Sequence, residues 1–179
     1  MIMIRASHAS DLPQITAIYT RHVLNGTGSF ETEAPTLSEM GARRADVLAK
    51  GLPYIVAEGN INGSNQILGY AYCTWFMLRP AYRFSAEDSV YIAPGLQGKG
   101  LGRALLAELA AQAEAMGIRK LIAVIGDSNN AGSMGLHRSV GFTDVGVLTS
   151  CGWKFDQWLD VVLMEKALGL GNTSPPPRQ

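Results

Sequence analysis

Residues 90–103 read Val-Tyr-Ile-Ala-Pro-Gly-Leu-Gln-Gly-Lys-Gly-Leu-Gly-Arg, and four glycines fall within residues 95–102. A short apolar run leads in and an amphipathic run leads out from Leu101. The sequence therefore predicts strand, turn and helix start. Glycines let successive backbone N–H groups converge on one point without a Cβ in the way. A helix start adds unpaired N–H groups and the positive end of its dipole. Together these can hold a phosphate or diphosphate. A Walker loop is disfavoured, because it needs Gly six residues before Lys99 and Ser or Thr after it. This chain has Ala93 and Gly100 there. A dinucleotide fingerprint fits poorly, because Arg103 fills its third glycine slot and the turn follows a middle strand. A glycine-rich turn with no ligand is the alternative.

Other candidate groups surround this segment. Glu87 stands near the start of the strand, where a carboxylate can act as general base if burial raises its pKa. The alternative is a solvated strand-end charge. Asp88 is expected on the opposite face, since side chains alternate along a strand. His137 could exchange a proton near neutral pH, or simply be a packed helix histidine with a satisfied hydrogen bond. Arg79 and Arg83 flank Tyr82 just upstream, and arginine suits forked recognition of anionic oxygens. An exposed surface charge is the plainer role for each cation. His8 and His22 are isolated and read as surface or helix-face residues. No metal-ligand spacing occurs, so no metal is expected.

The elements that must position these groups follow from periodicity. Residues 1–5 read as a first strand. A helix follows with Ser10 as N-cap and Leu12, Ile15, Ile18, Tyr19 and Val23 on one face. Residues 26–35 form a loop carrying Phe30. Thr36 and Glu39 make a capping box for a second helix, which Gly51 and Pro53 end. Residues 54–58 and 67–76 read as a hairpin across a turn-rich connection. Residues 77–84 read as a loop and 89–93 as a strand. A helix over 101–116 should turn Leu101, Leu105, Leu109 and Met116 inward, with Gly117 as its C-cap. Residues 121–125 read as a fully buried strand. A short helix from Asn130 stops at Gly141, and 142–148 and 159–164 read as closing strands. Strands interleaved with helices, with a hairpin before the crossover units, imply a mixed α/β sheet.

Composition bounds the rest. At 179 residues, with 47% hydrophobic and 17% charged side chains, the chain can bury a core as one domain over 1–168, with a frayed tail over 169–179. Fifteen basic and fifteen acidic residues give no net charge, a poor basis for binding nucleic acid or an anionic membrane. No apolar run reaches the ~20 residues of a membrane helix, and the first residues lack the pattern of a secretory signal. Cys73 and Cys151 form no close pair, which suits a reducing compartment. A soluble, cytoplasmic protein is expected.

Gln97-x-x-Gly100-x-Gly102 after a strand resembles the coenzyme A motif of the GNAT N-acetyltransferase superfamily. Asn130-x-x-Ser133-x-x-x-His137-x-x-x-Gly141-Phe142 resembles its second coenzyme A segment, with His in the usual Tyr slot. Within the superfamily the chain is similar to phosphinothricin and methionine sulfoximine N-acetyltransferases. The similarity is carried by Ala17-Ile18-Tyr19, Ser29-Phe30-Glu31-Thr32-Glu33, Arg79-Pro80-Ala81-Tyr82-Arg83, Glu87-Asp88-Ser89-Val90-Tyr91 and Gly152-Trp153-Lys154-Phe155. It extends from about Ile4 to Leu168. Ser85-Ala86-Glu87-Asp88 stands where these relatives usually read Thr-Val-Glu-His or similar, so only Glu87 keeps the pattern.

The resemblance implies a mixed, mostly antiparallel sheet of six to seven strands, splayed at the cofactor site and flanked by about four helices. It implies acetyl-CoA as co-substrate and direct transfer to an amine, without an acyl-enzyme. Val90, Tyr91 and Ile92 would lie beside the pantetheine arm, and one of their N–H groups would bond the acetyl carbonyl. Gln97, Gly98, Lys99, Gly100, Leu101, Gly102 and Arg103 would hold the pyrophosphate. Asn130 and Ser133 would contact the lower pantetheine or the nucleotide end. Glu87 would be the base, and His137 would protonate the leaving thiolate or serve as a second base. Phe30 would cover the substrate. Met77, Leu78, Arg79, Tyr82, Arg83, Asp88, Ser89 and Lys154 would surround it, the cations meeting its anionic groups. A homodimer is also implied, with Trp75, Trp153 and Trp158 in the core or at subunit contacts. The competing readings are another amine acceptor, such as a protein N-terminus or a polyamine, and a coenzyme A-binding module without turnover.

Overall fold

A computed structural model describes residues 2–61 and 63–176. Parts of two expected elements, Met1 of the first strand and residues 177–179 of the tail, lie outside the described residues. Seven strands make one sheet: β1 (Ile2–Ala6), β2 (Tyr54–Ile61), β3 (Ser64–Trp75), β4 (Ser85–Ile92), β5 (Lys120–Gly126), β6 (Thr143–Lys154) and β7 (Gln157–Ala167). Their spatial order is β1-β2-β3-β4-β5-β7-β6. The β4–β5 pair is parallel, and the other five are antiparallel. Among the described residues four helices pack around the sheet: α1 (Leu12–Asn25), α2 (Leu37–Ala49), α3 (Leu101–Ala115) and α4 (Ala131–Ser139). No helix among the described residues is long and apolar enough to cross a membrane.

Local sequence explains most boundaries. Thr36 accepts a hydrogen bond from the Glu39 N–H while Glu39 reaches back to the Thr36 N–H, so α2 starts on a complete capping box. The Asn130 side chain accepts from the Ser133 N–H and starts α4 in the same manner. Ser10 does not cap α1. It lies in a 3₁₀ turn over Ala9–Asp11, and Asp11 holds the N-cap position with its carboxylate bonded to Arg5 instead. Leu105, Leu106 and Leu109 bring α3 down on β2, β3 and β4 around the fully buried Tyr70. Each such leucine contributes roughly 1.5–3 kcal/mol by leaving water. Met116 does not join them: it follows the helix end and is exposed.

Two differences from the sequence reading bear on function. The Glu87 strand begins at Ser85 rather than 89, so Glu87 sits within a hydrogen-bonded ladder, opposite Thr74. β5 is not buried throughout, because Val124 is 38% exposed. The cause is the sheet's one parallel junction. Ser85 to Asp88 pair with Lys120 to Ala123, and no further pairing joins the two strands. Beyond that point β4 continues against β3 and β5 against β7, so a cleft opens between them.

Candidate active site

The cleft has a volume of about 690 Å³ and runs from the β4–β5 opening to the N-termini of α3 and α4. Gly95, Gly98 and Gly100 have φ of 78°, 74° and 81°, a region that L side chains rarely enter. Gly102 serves a different need. A Cβ there would lie 3.0 Å from Leu136 Cδ2, so its missing side chain lets α3 approach α4. Gln97, Gly98, Gly100, Gly102 and Arg103 line the cleft. Lys99 does not, and Leu101 is buried in the core. Val90, Tyr91 and Ile92 form the β4 side of the cleft, and Asn130 and Ser133 line its α4 side.

His22, which stands in no recognisable motif, also lines the cleft. Its Nε2 donates to the Ile92 carbonyl at 2.8 Å, and its ring meets Tyr91 edge-on. Topology brings it there, as α1 crosses β4 beside the opening. No local motif marks it.

Asp88 and His137 lie at the cleft floor. The Asp88 carboxylate is buried on the face away from Glu87, and its Oδ2 lies 2.9 Å from His137 Nε2. The other ring nitrogen donates to the Ser133 carbonyl at 2.7 Å. Burial pulls the His137 pKa down, but the Asp88 contact and the Ser133 carbonyl outweigh it and the net direction is up. Asp88 is thus a partner of His137 and borders the cleft from below.

A second cavity of about 400 Å³ adjoins the first. Gly28, Ser89, Tyr91 and Val124 line both. Glu87 faces the second cavity, half-buried, with its pKa raised first by burial and then by the neighbouring charge of Asp88. Tyr19, Ser29, Phe30, Glu31 and Tyr72 complete much of the wall. The Tyr19 hydroxyl donates to Glu31 at 2.8 Å, and Arg43 grips the same carboxylate at 2.6 and 3.2 Å.

The expected cations are elsewhere. Lys154 is 4% exposed, and its ammonium donates to the carbonyls of Gly26 and Ser29 at 2.8 and 2.7 Å. It holds a loop and does not line the second cavity. Met77, Leu78, Arg79, Tyr82 and Arg83 occupy the exposed connection between β3 and β4, and none lines either cavity. Arg83 donates to the Pro80 carbonyl and lies over the Phe84 ring. Trp153 and Trp158 are exposed at the β6–β7 edge, with ring centroids 5.2 Å apart.

Known proteins share this arrangement. Residues 16–142 match the acetyltransferase (GNAT) family. The chain is 51% identical over 173 residues to phosphinothricin N-acetyltransferase of Alcaligenes faecalis, covering 97% of this chain and 86% of that protein. It is 37% identical over 175 residues to the L-methionine sulfoximine/L-methionine sulfone acetyltransferase of Pseudomonas aeruginosa, covering 96% and 98%. The crystal structure of a GNAT superfamily phosphinothricin acetyltransferase from Sinorhizobium meliloti, in complex with acetyl-CoA, superposes with a TM-score of 0.93. That pair is 41% identical, over 99% of this chain and 94% of the other. A sheet that parts at its parallel junction, a glycine turn leading into α3 and a 51% match to an N-acetyltransferase over nearly the whole chain lead to one assignment: the chain belongs to the GNAT acetyltransferase family.

Proposed function

We propose that the chain transfers the acetyl group of acetyl-CoA by direct attack to the amino group of a small amino acid-like acceptor. The acceptor is of the phosphinothricin, methionine sulfoximine or methionine sulfone type. The observation that carries this reading is the junction of the two cavities along Ser89 and Tyr91, with Glu87 on the acceptor side. The relatives' activities and the acetyl-CoA complex of a close structural neighbour support it.

The residues fit the co-substrate. The turn at 97–103 offers backbone N–H groups and Arg103 for a diphosphate, and the unladdered side of β4 offers main-chain partners to a pantetheine arm. Acetyl-CoA supplies a thioester acyl donor. Glu87 takes the ammonium proton of the acceptor, and its raised pKa brings it nearer that task. A β4 N–H near Val90 stabilises the charge that develops on the acetyl oxygen, a role whose loss typically costs about 10²–10³ in rate. His137, with both ring nitrogens engaged, supports the cleft floor and leaves proton transfer to Glu87.

The side chains lining the acceptor cavity include Glu31 and Glu87 and no Lys or Arg. This favours, as a second reading, an acceptor with fewer anionic groups, such as a protein N-terminus or a polyamine. The apolar surface of the β6–β7 hairpin, with Val147, Leu148 and Trp158 exposed, supports a homodimer. The free thiols Cys73 and Cys151 fit a cytoplasmic setting. Thiol release from acetyl-CoA, assayed over a panel of these amines, tests the reading. Turnover with phosphinothricin-type acceptors is expected. Calorimetric binding of acetyl-CoA with no turnover on any amine would leave a binding module instead.

A further inference from the structure

Residues 26–31 form the shared wall of the two cavities: Gly26, Thr27 and Gly28 border the cofactor cleft, and Gly28, Ser29, Phe30 and Glu31 border the acceptor cavity. A loop this exposed to two ligands needs something to fix it. Two contacts from distant parts of the chain do so. Thr27 donates to Asp127 at 2.7 Å. Lys154, at the end of β6, places its buried ammonium between the Gly26 and Ser29 carbonyls. The same strand, together with the end of β5, prepares a seat for the loop's aromatic ring. A Cβ on Gly152 would lie 2.3 Å from Phe30 Cε2, and one on Gly126 would lie 2.8 Å from Phe30 Cε1. The ring therefore occupies space that two missing side chains leave open.

We propose that Lys154 is a positioning residue for acetyl transfer, stapling the loop 26–31 so that Phe30, seated on Gly126 and Gly152, sets the reach of the acceptor cavity. This rests on the acetyltransferase reading above. Lys154 acts through the loop and touches neither cavity itself. Its ammonium matters because two carbonyls inside the protein need a donor that can serve both.

A double-mutant cycle tests the seat. Gly152→Ala must displace the Phe30 ring, so KM for the acceptor rises about tenfold while KM for acetyl-CoA changes less than about twofold. In the Phe30→Ala background the clash is gone, and Gly152→Ala becomes nearly silent. Phe30→Ala alone shifts preference toward longer acceptors by about tenfold in relative kcat/KM. An equal effect of Gly152→Ala in both backgrounds, or an unchanged acceptor ranking in Phe30→Ala, overturns the proposal. The staple has its own test. Amide hydrogen exchange over residues 26–31 accelerates at least about tenfold in Lys154→Met and is partly restored in Lys154→Arg. Exchange in Lys154→Met matching the wild type overturns it. If Lys154→Met fails to fold, Lys154→Gln takes its place: faster exchange over residues 26–31 supports the staple, and exchange matching the wild type overturns it. If the wild type acetylates no amine, the reaction is wrong, and exchange in Lys154→Met and Gly152→Ala still decides whether the loop is held from β6.

Discussion

His137 Nε2 lies 2.9 Å from Asp88 Oδ2, and both side chains are buried. The Ser133 carbonyl can only accept, so Nδ1 carries a proton, and the carboxylate favours a second proton on Nε2. The ring is held between two acceptors, with neither nitrogen free. That makes it a poor proton donor to a leaving thiolate, although its position in the sequence suggested the task.

The pair makes stability depend on pH in a defined sense. His137 has a folded-state pKa above its ordinary value of 6.5. Its contribution is therefore complete below about pH 6.5 and is lost as pH rises through the higher folded value. Asp88→Asn should cost about 3 kcal/mol at pH 6, as expected for breaking a buried pair, and less at pH 9. Denaturant melts at the two pH values check this, and an equal loss at both would refute the charge assignment. ¹⁵N shifts of His137 followed over pH should show the second ring proton retained above the ordinary value of 6.5.

Glu87→Gln should lower kcat by about 10²–10⁴ and leave acetyl-CoA affinity unchanged, as loss of a general base does. In the wild type, the acid limb of the kcat/KM profile should fall above the usual carboxylate range, because burial and Asp88 both disfavour the Glu87 anion. The same shift means the folded state holds this proton more tightly than the unfolded state. Glu87 therefore destabilises the fold once pH exceeds the ordinary glutamate range. Glu87→Gln should melt above the wild type at pH 8, and the difference should vanish toward pH 3. A melting difference independent of pH would contradict this.

Gly100→Ala and Gly102→Ala should fail differently. The first forces Ala to a φ of 81°, at a cost of roughly 1–2 kcal/mol. The turn escapes that strain by moving, so acetyl-CoA affinity falls about tenfold. The second pushes a methyl group toward Leu136 and separates α3 from α4, so melting temperature drops first. Calorimetry and thermal melts on both variants separate the two roles.

If the proposed homodimer forms through the β6–β7 hairpin, Trp158→Glu should convert it to monomer and leave acetyl-CoA binding intact, since Trp158 is 64% exposed there and does not line the cofactor cleft. Size-exclusion chromatography with light scattering reads this directly. A wild-type chain that runs as a monomer would dispose of the dimer.

The backbone turn was the most legible part of the sequence, because a run of glycines before a helix has few physical uses and Gln97, Gly98 and Gly100 do line the cleft. Helix caps at Thr36 and Asn130 were legible for the same reason, being local chemistry. The strand holding Glu87 was drawn four residues short because Ser85 to Asp88 carry two charges and little β-propensity; pairing with β3 and β5 overrides that preference. The family resemblance of its segment puts Lys154 near the substrate, and nothing nearby in sequence shows that two carbonyls 125 and 128 residues away will claim it. His22 and the Tyr19–Glu31–Arg43 chain became visible only once the fold had brought α1, α2 and the following loop over β4.

The sheet is really two blankets, β1–β4 and β5–β7, sewn together by the four residue pairs of a single seam. A co-substrate lying along the unsewn length would act as extra stitching. At a hundred times its Kd it would add about 2.7 kcal/mol to the folded state. Starved of it, the protein would relax first along that seam, tying its lifetime in a cell to the supply of the molecule it consumes.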